Sequence, residues 1–290
     1  MIVAAMPVEA GWRSPSGRSS ARPIVLIGIG AATVWAIWHL AGVPGQFLIT
    51  EGGLDIAQRI LVRSVTPALT YESPVPSGTA PLLWKAVVAA EATVTFAAAA
   101  MSLALLGGAG FGFLAASAWW ADNTRRTPVG PAVYACTRVL LAGLRSIHEL
   151  LWAVLLLAAF GVTQLAAVLA IAIPYSAILG KVFSELVDEA PRDAARALRE
   201  SGATPMQAFV FGLLPHALPD MAAYAFYRFE CAVRSSAIMG FFGFPTLGYY
   251  VAASFENLHY GEVWTYLYVL FALVALLDWW SGALRRRFAA

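Results

Sequence analysis

A run of 30 residues without a formal charge extends from Ala92 to Ala121 and limits the folds that this chain can adopt. As a helix this run would measure about 45 Å, longer than the roughly 30 Å hydrocarbon core of a bilayer. The composition agrees, because 60% of the 290 residues are apolar and 12% are charged, whereas soluble domains carry about 25% charged residues. The sequence therefore predicts an all-α integral membrane protein and argues against a soluble enzyme.

Further apolar regions bring the prediction to about six transmembrane helices. They cover residues 23–43, 92–121, 132–162, 165–183, 206–235 and 261–284. In the second of these, Gly107-Gly108 is the expected place for a bend. The first is an uncharged run of 21 residues, which is too long for the roughly 7–15-residue core of a cleaved signal peptide. We therefore favour a membrane anchor over a signal peptide.

The placement of the cations predicts which side of the membrane each segment faces. Twelve of the 19 lysines and arginines lie in residues 1–22, 122–130, 181–205 and the tail from 284, whereas the loops 44–81 and 236–260 carry two arginines. By the positive-inside rule, both termini and the 185–205 loop are expected to be cytoplasmic. The predicted organisation is a tail at 1–22, an extra helix at 23–43, an extracytoplasmic loop at 44–81 with a short amphipathic helix around 54–65, a core transmembrane domain at 82–284, and a basic tail at 285–290.

The loop at 185–205 carries the densest charge run in the chain, and its residues are spaced as in a helix. Pro191 suits a first helical position. Asp193 and Arg196 are three residues apart, and Arg196 and Glu200 are four apart, so each pair can form an ion pair on one helix face. These spacings predict a short helix between two membrane spans.

The residues that follow predict a sharp corner after this helix. Gly202 suits the left-handed position just beyond a helix end. Thr204 and Gln207 are spaced as a capping box, with Pro205 at the first position of the next helix. The segment is either a solvated helical hairpin, as most charge runs are, or a rigid corner that receives force from a soluble partner.

Two groups of charges lie inside predicted spans, where a charged side chain costs at least roughly 2.5–3.5 kcal/mol. Glu230 and Arg234 are four residues apart, with Arg228 close by, and Arg145 and Glu149 have the same spacing. One interpretation is that each pair neutralises itself and fixes helix packing. The other is that these five residues line a translocation pathway, where the excess of arginine favours an anionic solute.

Several functions are not supported by the sequence. His148-Glu149 begins an HExxH-like string, but Trp152 occupies the place of the second histidine, so no metal site is expected. Gly180-Lys181 is followed by Val182 and does not make a phosphate-binding loop. The net charge of +2 gives no reason to expect nucleic acid. We therefore expect a non-enzymatic chain without a cofactor of its own, so that any ATP hydrolysis belongs to a separate subunit.

The corner resembles the signature loop of the membrane subunits of binding-protein-dependent ABC importers. Gly202, Leu214 and Pro215 stand at the places of the signature glycine and Leu-Pro pair, whereas the EAA element reads Arg196-Ala197-Leu198 and lacks its glutamate. The resemblance implies that this loop couples the membrane domain to an ATPase. The implied coupling residues are Arg196, Ala197, Leu198, Gly202, Ala203, Leu214 and Pro215.

Longer stretches are similar to the phosphonate-type branch of these permeases. They run from Arg145 to Ala153, Glu200 to Pro205, Leu214 to Pro219 and Tyr224 to Gly240, with His148 where the family has proline. The turn from Gly243 to Gly248 has fewer glycines than the family pattern. The resemblance covers roughly residues 84–287.

This resemblance implies a bacterial inner-membrane permease for a phosphonate-like oxyanion. Its implied partners are a second permease subunit, an extracytoplasmic solute-binding protein, and two ATPases that bind ATP-Mg and dock on residues 190–205. The alternative is a secondary transporter or channel driven by an ion gradient, for which the chain shows no convincing internal repeat.

Overall fold

The computed structural model describes residues 21–41, 51–123 and 129–288, and among them every regular element is helical. The chain divides into two compact units, residues 1–58 and 59–290. The first contains α1 (Ala21–Ala41) and the beginning of α2 (Glu51–Val65). Helix α2 confirms the helix expected around residues 54–65. Parts of several predicted segments lie outside the described residues: 1–20 of the tail, 42–43 of the first span, 44–50 of the loop 44–81, 124–128 of the segment 122–130, and 289–290 of the basic tail.

The second unit continues with ten more helices. These are α3 (Leu82–Ala115), α4 (Ser117–Asn123), α5 (Val129–Ser146), α6 (Glu149–Phe160), α7 (Gln164–Glu189), α8 (Asp193–Glu200), α9 (Pro205–Ala208), α10 (Leu214–Ile238), α11 (Leu247–Glu256) and α12 (Tyr260–Phe288). A π-helical turn, Phe209–Leu213, joins α9 to α10, and a 3₁₀ turn, Met239–Phe242, follows α10.

Three of the described helices, α3, α7 and α12, are long and apolar enough to cross a membrane. Two bent pairs raise the number to five if each pair is one span: α5 with α6, bent by 89°, and the segment 205–242 with α11, bent by 44°. Helix α1 carries a shorter apolar stretch, Pro23–His39. A multi-pass all-α membrane protein is confirmed, and the count of six spans stays a prediction.

The core lies where α3, α7 and α10 meet, and glycines bring α3 against α7. A β-carbon added to Gly108 would lie 2.6 Å from Cβ of Leu179, and one added to Gly180 would lie 2.7 Å from Cβ of Phe111. Small residues permit this close approach of membrane helices. Helix α3 runs unbroken through Gly107-Gly108 and ends at Ala115, so the bend expected at the two glycines is replaced by a helix crossing.

A buried threonine in the first half of α3 connects three helices. The Thr93 hydroxyl donates to the Ala89 carbonyl (2.7 Å) and accepts from the backbone N–H of Leu247 (3.1 Å). The Thr93 carbonyl accepts from the Ser236 hydroxyl (2.7 Å). Since buried polar groups are costly when unpaired, this arrangement fixes the positions of α10 and α11 on α3.

The segment between α2 and α3 is held against the beginning of α12. The buried carboxylate of Glu262 accepts from the backbone N–H of Glu72 (2.9 Å) and from the Ser254 hydroxyl (3.2 Å). The Tyr268 hydroxyl donates to the Ser64 carbonyl (2.6 Å). Residues 64–72 are therefore part of the packed second unit and not a free loop.

Candidate functional site

The corner after α8 has the geometry that the sequence predicts. Gly202 adopts φ +92°, in the left-handed region, and its N–H donates to the Arg199 carbonyl (3.1 Å). The N–H of Ala203 donates to the Leu198 carbonyl (2.9 Å). Together the two bonds form a Schellman motif, which satisfies the last carbonyls of the helix.

The next helix begins with the predicted capping box. The Gln207 amide oxygen accepts from the Thr204 N–H (2.9 Å), and the Thr204 hydroxyl accepts from the Gln207 N–H (3.3 Å). Pro205 occupies the first helical position, as expected. The predicted helix and corner are thus present in the 185–205 segment, and the reception of force from a soluble partner stays a prediction.

The beginning of α8 differs from the prediction. The helix begins at Asp193 and Arg192 is its N-terminal cap, so Pro191 precedes the helix and does not open it. Pro191 follows the extended Ala190, a conformation that a following proline favours. Of the two predicted ion pairs, Asp193–Arg196 forms at 3.8 Å, and Arg196–Glu200 does not form.

The corner rests on the beginning of α10, a contact that the sequence analysis missed. A β-carbon on Gly212 would lie 2.7 Å from Cα of Ala195, so α8 crosses the π-helical turn at backbone distance. The N–H of Leu214 donates five residues back to the Phe209 carbonyl. Pro215 has no N–H to continue the α-helical ladder, which accounts for the wide turn just before the Leu-Pro pair.

An aromatic cluster lies beneath the corner. The ring centroid of Phe113 is 4.7 Å from that of Trp119 and 5.2 Å from that of Phe209. Phe113 belongs to α3, Trp119 to α4, and Phe209 to the π-helical turn. The end of α3, the beginning of α4 and the π-helical turn are therefore packed together through these three rings.

A carboxylate near the end of α7 holds α4 in place. Asp188 accepts from the backbone N–H groups of Ser117 (3.0 Å) and Ala118 (2.8 Å), which cap the first turn of α4. Arg138 on α5 approaches the same carboxylate at 3.8 Å. Sequence reasoning took Asp188 for one member of a charge run, and its partners lie too far along the chain for spacing to reveal them.

Inside the predicted spans, the expected Glu230–Arg234 pair does not form. The interpretation that these two residues neutralise each other is therefore wrong. The buried Glu230 carboxylate pairs with Arg285 of α12 at 3.7 Å, and the Arg234 guanidinium donates to Cys231 Sγ at 3.5 Å. Helix α12 packs on α10 through the rings of Phe226 and Trp280, whose centroids are 5.8 Å apart. Because of this packing, Glu230 is paired with Arg285, a residue that the sequence analysis assigned to the basic tail at 285–290.

The expected Arg145–Glu149 pair is also absent. The helix breaks between Ser146 and Glu149, and the 89° bend between α5 and α6 removes the helical spacing on which the pair depended. Glu149 instead accepts from the Ser235 hydroxyl (2.9 Å), which shares a hydrogen bond of 3.0 Å with the Tyr175 hydroxyl. Arg145 is exposed on this chain.

Arg228 completes what we call the intramembrane polar cluster, formed by Glu149, Tyr175, Arg228 and Ser235. Its guanidinium lies 4.5 Å from the centroid of the Tyr175 ring, and its Nε is buried without a hydrogen-bond partner among the described residues. Within those residues, neither Arg228 nor Arg234 has a carboxylate at ion-pair distance. Of the residues predicted to line the pathway, Glu149 and Arg228 thus lie in one cluster, connected through Ser235 and Tyr175. Glu230 instead pairs with Arg285 of α12.

Fold and site together define a multi-pass membrane protein with a helical corner between α7 and α10 and, among the described residues, two arginines of α10 that have no carboxylate at ion-pair distance. A family model described as "Binding-protein-dependent transport system inner membrane component" matches residues 108–290. The chain belongs to this family.

Curated relatives with assigned substrates share moderate identity with this chain. The phosphite transport system permease protein PtxC of Stutzerimonas stutzeri is 41% identical over 167 residues, which are 57% of this chain and 60% of the relative. The phosphate-import permease protein PhnE of Mycolicibacterium smegmatis is 27% identical over 255 residues, 88% of this chain and 44% of the relative. The matches thus span less than two thirds of the length of these relatives.

Solved structures show the same fold. An inward-facing form of the MetNI methionine ABC transporter matches with a TM-score of 0.60 at 21% identity, over 71% of this chain and 96% of that one. An amino acid ABC transporter matches with a TM-score of 0.58 at 17% identity, over 70% and 94% of the two chains. The permease-type fold expected from the sequence is confirmed.

Proposed function

We propose that this chain is the permease subunit of an ABC importer for phosphite, phosphonate or a related oxyanion. The pairing of Glu230 with Arg285 is the observation on which we base the choice of an anionic substrate. It leaves Arg228 and Arg234 without a neutralising carboxylate among the described residues, so this part of the membrane domain favours negative charge. The relatives that are named for phosphite and phosphate transport support the same substrate class.

ATP hydrolysis in this proposal occurs in separate ATPase subunits that dock on residues 190–205. Support comes from the rigidity of the corner, since a force applied to α8 reaches α10 through the Ala195–Gly212 contact. The chain itself catalyses no reaction. A second permease subunit completes the pathway, and an extracytoplasmic solute-binding protein delivers the oxyanion.

The same proposal sets the orientation in the bacterial inner membrane. Both termini and the corner face the cytoplasm in this orientation, which the distribution of the cations supports. Residues 64–72, packed on α12, then lie on the outer side, where a binding protein docks.

Co-purification tests the proposal. The chain, solubilised in mild detergent from its native host, should bring with it a protein that carries a nucleotide-binding loop, and MgATP turnover should accompany the complex. A chain that purifies alone from cells in which the partner is expressed contradicts the proposal and favours the ion-gradient-driven transporter.

A further inference from the structure

The hydrogen bonds of the intramembrane polar cluster all run in one direction. An ionised carboxylate only accepts hydrogen bonds, and each hydroxyl has one proton to donate. The Ser235 hydroxyl donates its proton to Glu149 Oε1 at 2.9 Å. The Tyr175 hydroxyl, 3.0 Å from that of Ser235, must therefore donate to Ser235. Both hydroxyl protons are used within the cluster, so neither hydroxyl can donate to an anion.

The Glu149 carboxylate still has room to accept another hydrogen bond. Its second oxygen, Oε2, lies 3.6 Å from His148 Nε2, which is too far for a hydrogen bond. No other described residue donates to Oε2, and an ionised carboxylate oxygen can accept two hydrogen bonds. The side chain of Glu149 is 22% exposed, so a ligand can reach it.

Arg228 supplies the positive charge of the cluster without neutralising Glu149. Its guanidinium lies 4.5 Å from the centroid of the Tyr175 ring, and no described carboxylate lies at ion-pair distance from it. The cluster therefore offers a cation with N–H donors and, beyond Tyr175 and Ser235, an ionised acceptor. A ligand that suits both has an ionised oxygen for Arg228 and an O–H group for Glu149.

We infer that Glu149 is a specificity-determining residue, which accepts a hydrogen bond from the P–OH group of a monoprotonated oxyanion. The ionised oxygens of the same anion bind Arg228. A fully ionised anion has no proton to donate, and the Glu149 carboxylate repels it. The inference rests on the proposed function and adds to it the protonation state in which the substrate crosses the membrane.

Other titratable or charged groups lie on the elements that carry or pack against Glu149. Histidine is the type among them that changes charge near neutral pH. A test by pH must therefore separate ionisation of the substrate from ionisation of these side chains. They are His148 beside it in the chain, Tyr175 of α7, and Tyr224, Arg228, Cys231 and Arg234 of α10.

Uptake of two oxyanions at a series of pH values makes this separation. Proteoliposomes that contain the permease–ATPase complex are assayed with saturating binding protein, loaded with phosphite or with methylphosphonate. Above the second ionisation of the substrate, uptake should fall about tenfold for each pH unit, because the monoprotonated fraction falls by that factor. The second ionisations of the two anions occur at different pH, so the midpoint of the fall should differ between them in the same sense.

Neutralisation of the carboxylate places the effect on Glu149. Glu149→Gln keeps an oxygen that can accept from Ser235 but removes the charge. Uptake at low pH should fall by about tenfold, since a charged acceptor is lost. The fall at high pH should disappear, because the fully ionised anion is no longer repelled. Glu256→Gln, which changes an exposed carboxylate of α11, is the matched control and should keep the wild-type profile.

Two results would overturn the inference. A wild-type profile that is flat, or whose midpoint is the same for both anions, would show that ionisation of the substrate is not what limits uptake. An unchanged profile in Glu149→Gln would place the selection outside this carboxylate, for example in the binding protein. Absence of ATP-dependent uptake by the wild-type complex at every pH would instead overturn the proposed function.

Discussion

The arginines of α10 differ in what surrounds them, and this difference determines what each can do. Arg228 lies over the Tyr175 ring, and its buried Nε has no hydrogen-bond partner among the described residues, whereas Arg234 is exposed and donates to Cys231 Sγ. A cation without a carboxylate in a membrane domain requires water, an anion or a neighbouring subunit. In the function that we propose, an oxyanion in transit meets this requirement for both side chains.

We predict that Arg234→Gln impairs transport but not assembly. A hydrogen bond to a charged group contributes about 1.5–3 kcal/mol, so the apparent KM for oxyanion uptake should rise by about tenfold or more. Uptake by the reconstituted complex measures this effect, and Arg286→Gln, an exposed residue near the end of α12, is the control. If Arg234→Gln and Arg286→Gln have the same apparent KM, Arg234 does not line the pathway.

The corner glycine gives a second prediction at this scale. Gly202→Val places a β-branched residue at φ +92°, which costs about 1–2 kcal/mol in the left-handed region. ATPase binding should fall about five- to thirtyfold while the permease still folds. Gly202→Asn is the matched variant, because asparagine tolerates this conformation. Binding that is retained by the valine variant would show that the corner does not position the ATPase.

The sequence predicts single residues well where the interaction is local. Gly202 and the Thr204–Gln207 box act within a few positions of the chain, so spacing alone reveals them. The partner of Glu230 could not be predicted in this way, because Arg285 reaches it only through the packing of α12 on α10. Helical spacing made Arg234 available to Glu230, but it could not show that another cation competes for the same carboxylate.

Among the elements, the crossing of α3 and α7 is the contact most sensitive to side-chain size. Gly108→Ala would place a methyl group 2.6 Å from Cβ of Leu179, whereas Gly110 on the same helix has no neighbour within 4 Å of an added β-carbon. We predict that Gly108→Ala lowers the free energy of unfolding by about 1–3 kcal/mol through overpacking. Gly110→Ala should leave it unchanged or slightly higher.

Thermal unfolding of the two variants in the same detergent measures the difference. Equal melting temperatures would mean that α3 and α7 separate easily and that the crossing does not fix the core. The sequence could identify Gly107-Gly108 as special but not its purpose, since a bend and a close helix crossing both require glycine. Only the facing positions on α7, Ser176, Leu179 and Gly180, distinguish the two uses.

For the whole molecule, the orientation can be measured directly. After replacement of Cys136 and Cys231, a cysteine at Asp193 in α8 should react only with reagents applied from the cytoplasm. A cysteine at Ser77, an exposed residue between α2 and α3, should react from outside. Impermeant maleimide labelling of intact cells and of inverted vesicles provides both measurements. The reverse pattern would invert the topology and remove the corner from the reach of an ATPase.

We propose that this chain moves an oxyanion by coupling to ATP hydrolysis in a partner subunit. The most direct test is uptake of radiolabelled phosphite, methylphosphonate or phosphate by proteoliposomes that contain the permease–ATPase complex and its binding protein. We expect uptake of at least one of these anions that requires ATP on the corner side and persists when ion gradients are dissipated by ionophores. Uptake that proceeds without ATP and stops when the ion gradient is dissipated would contradict it.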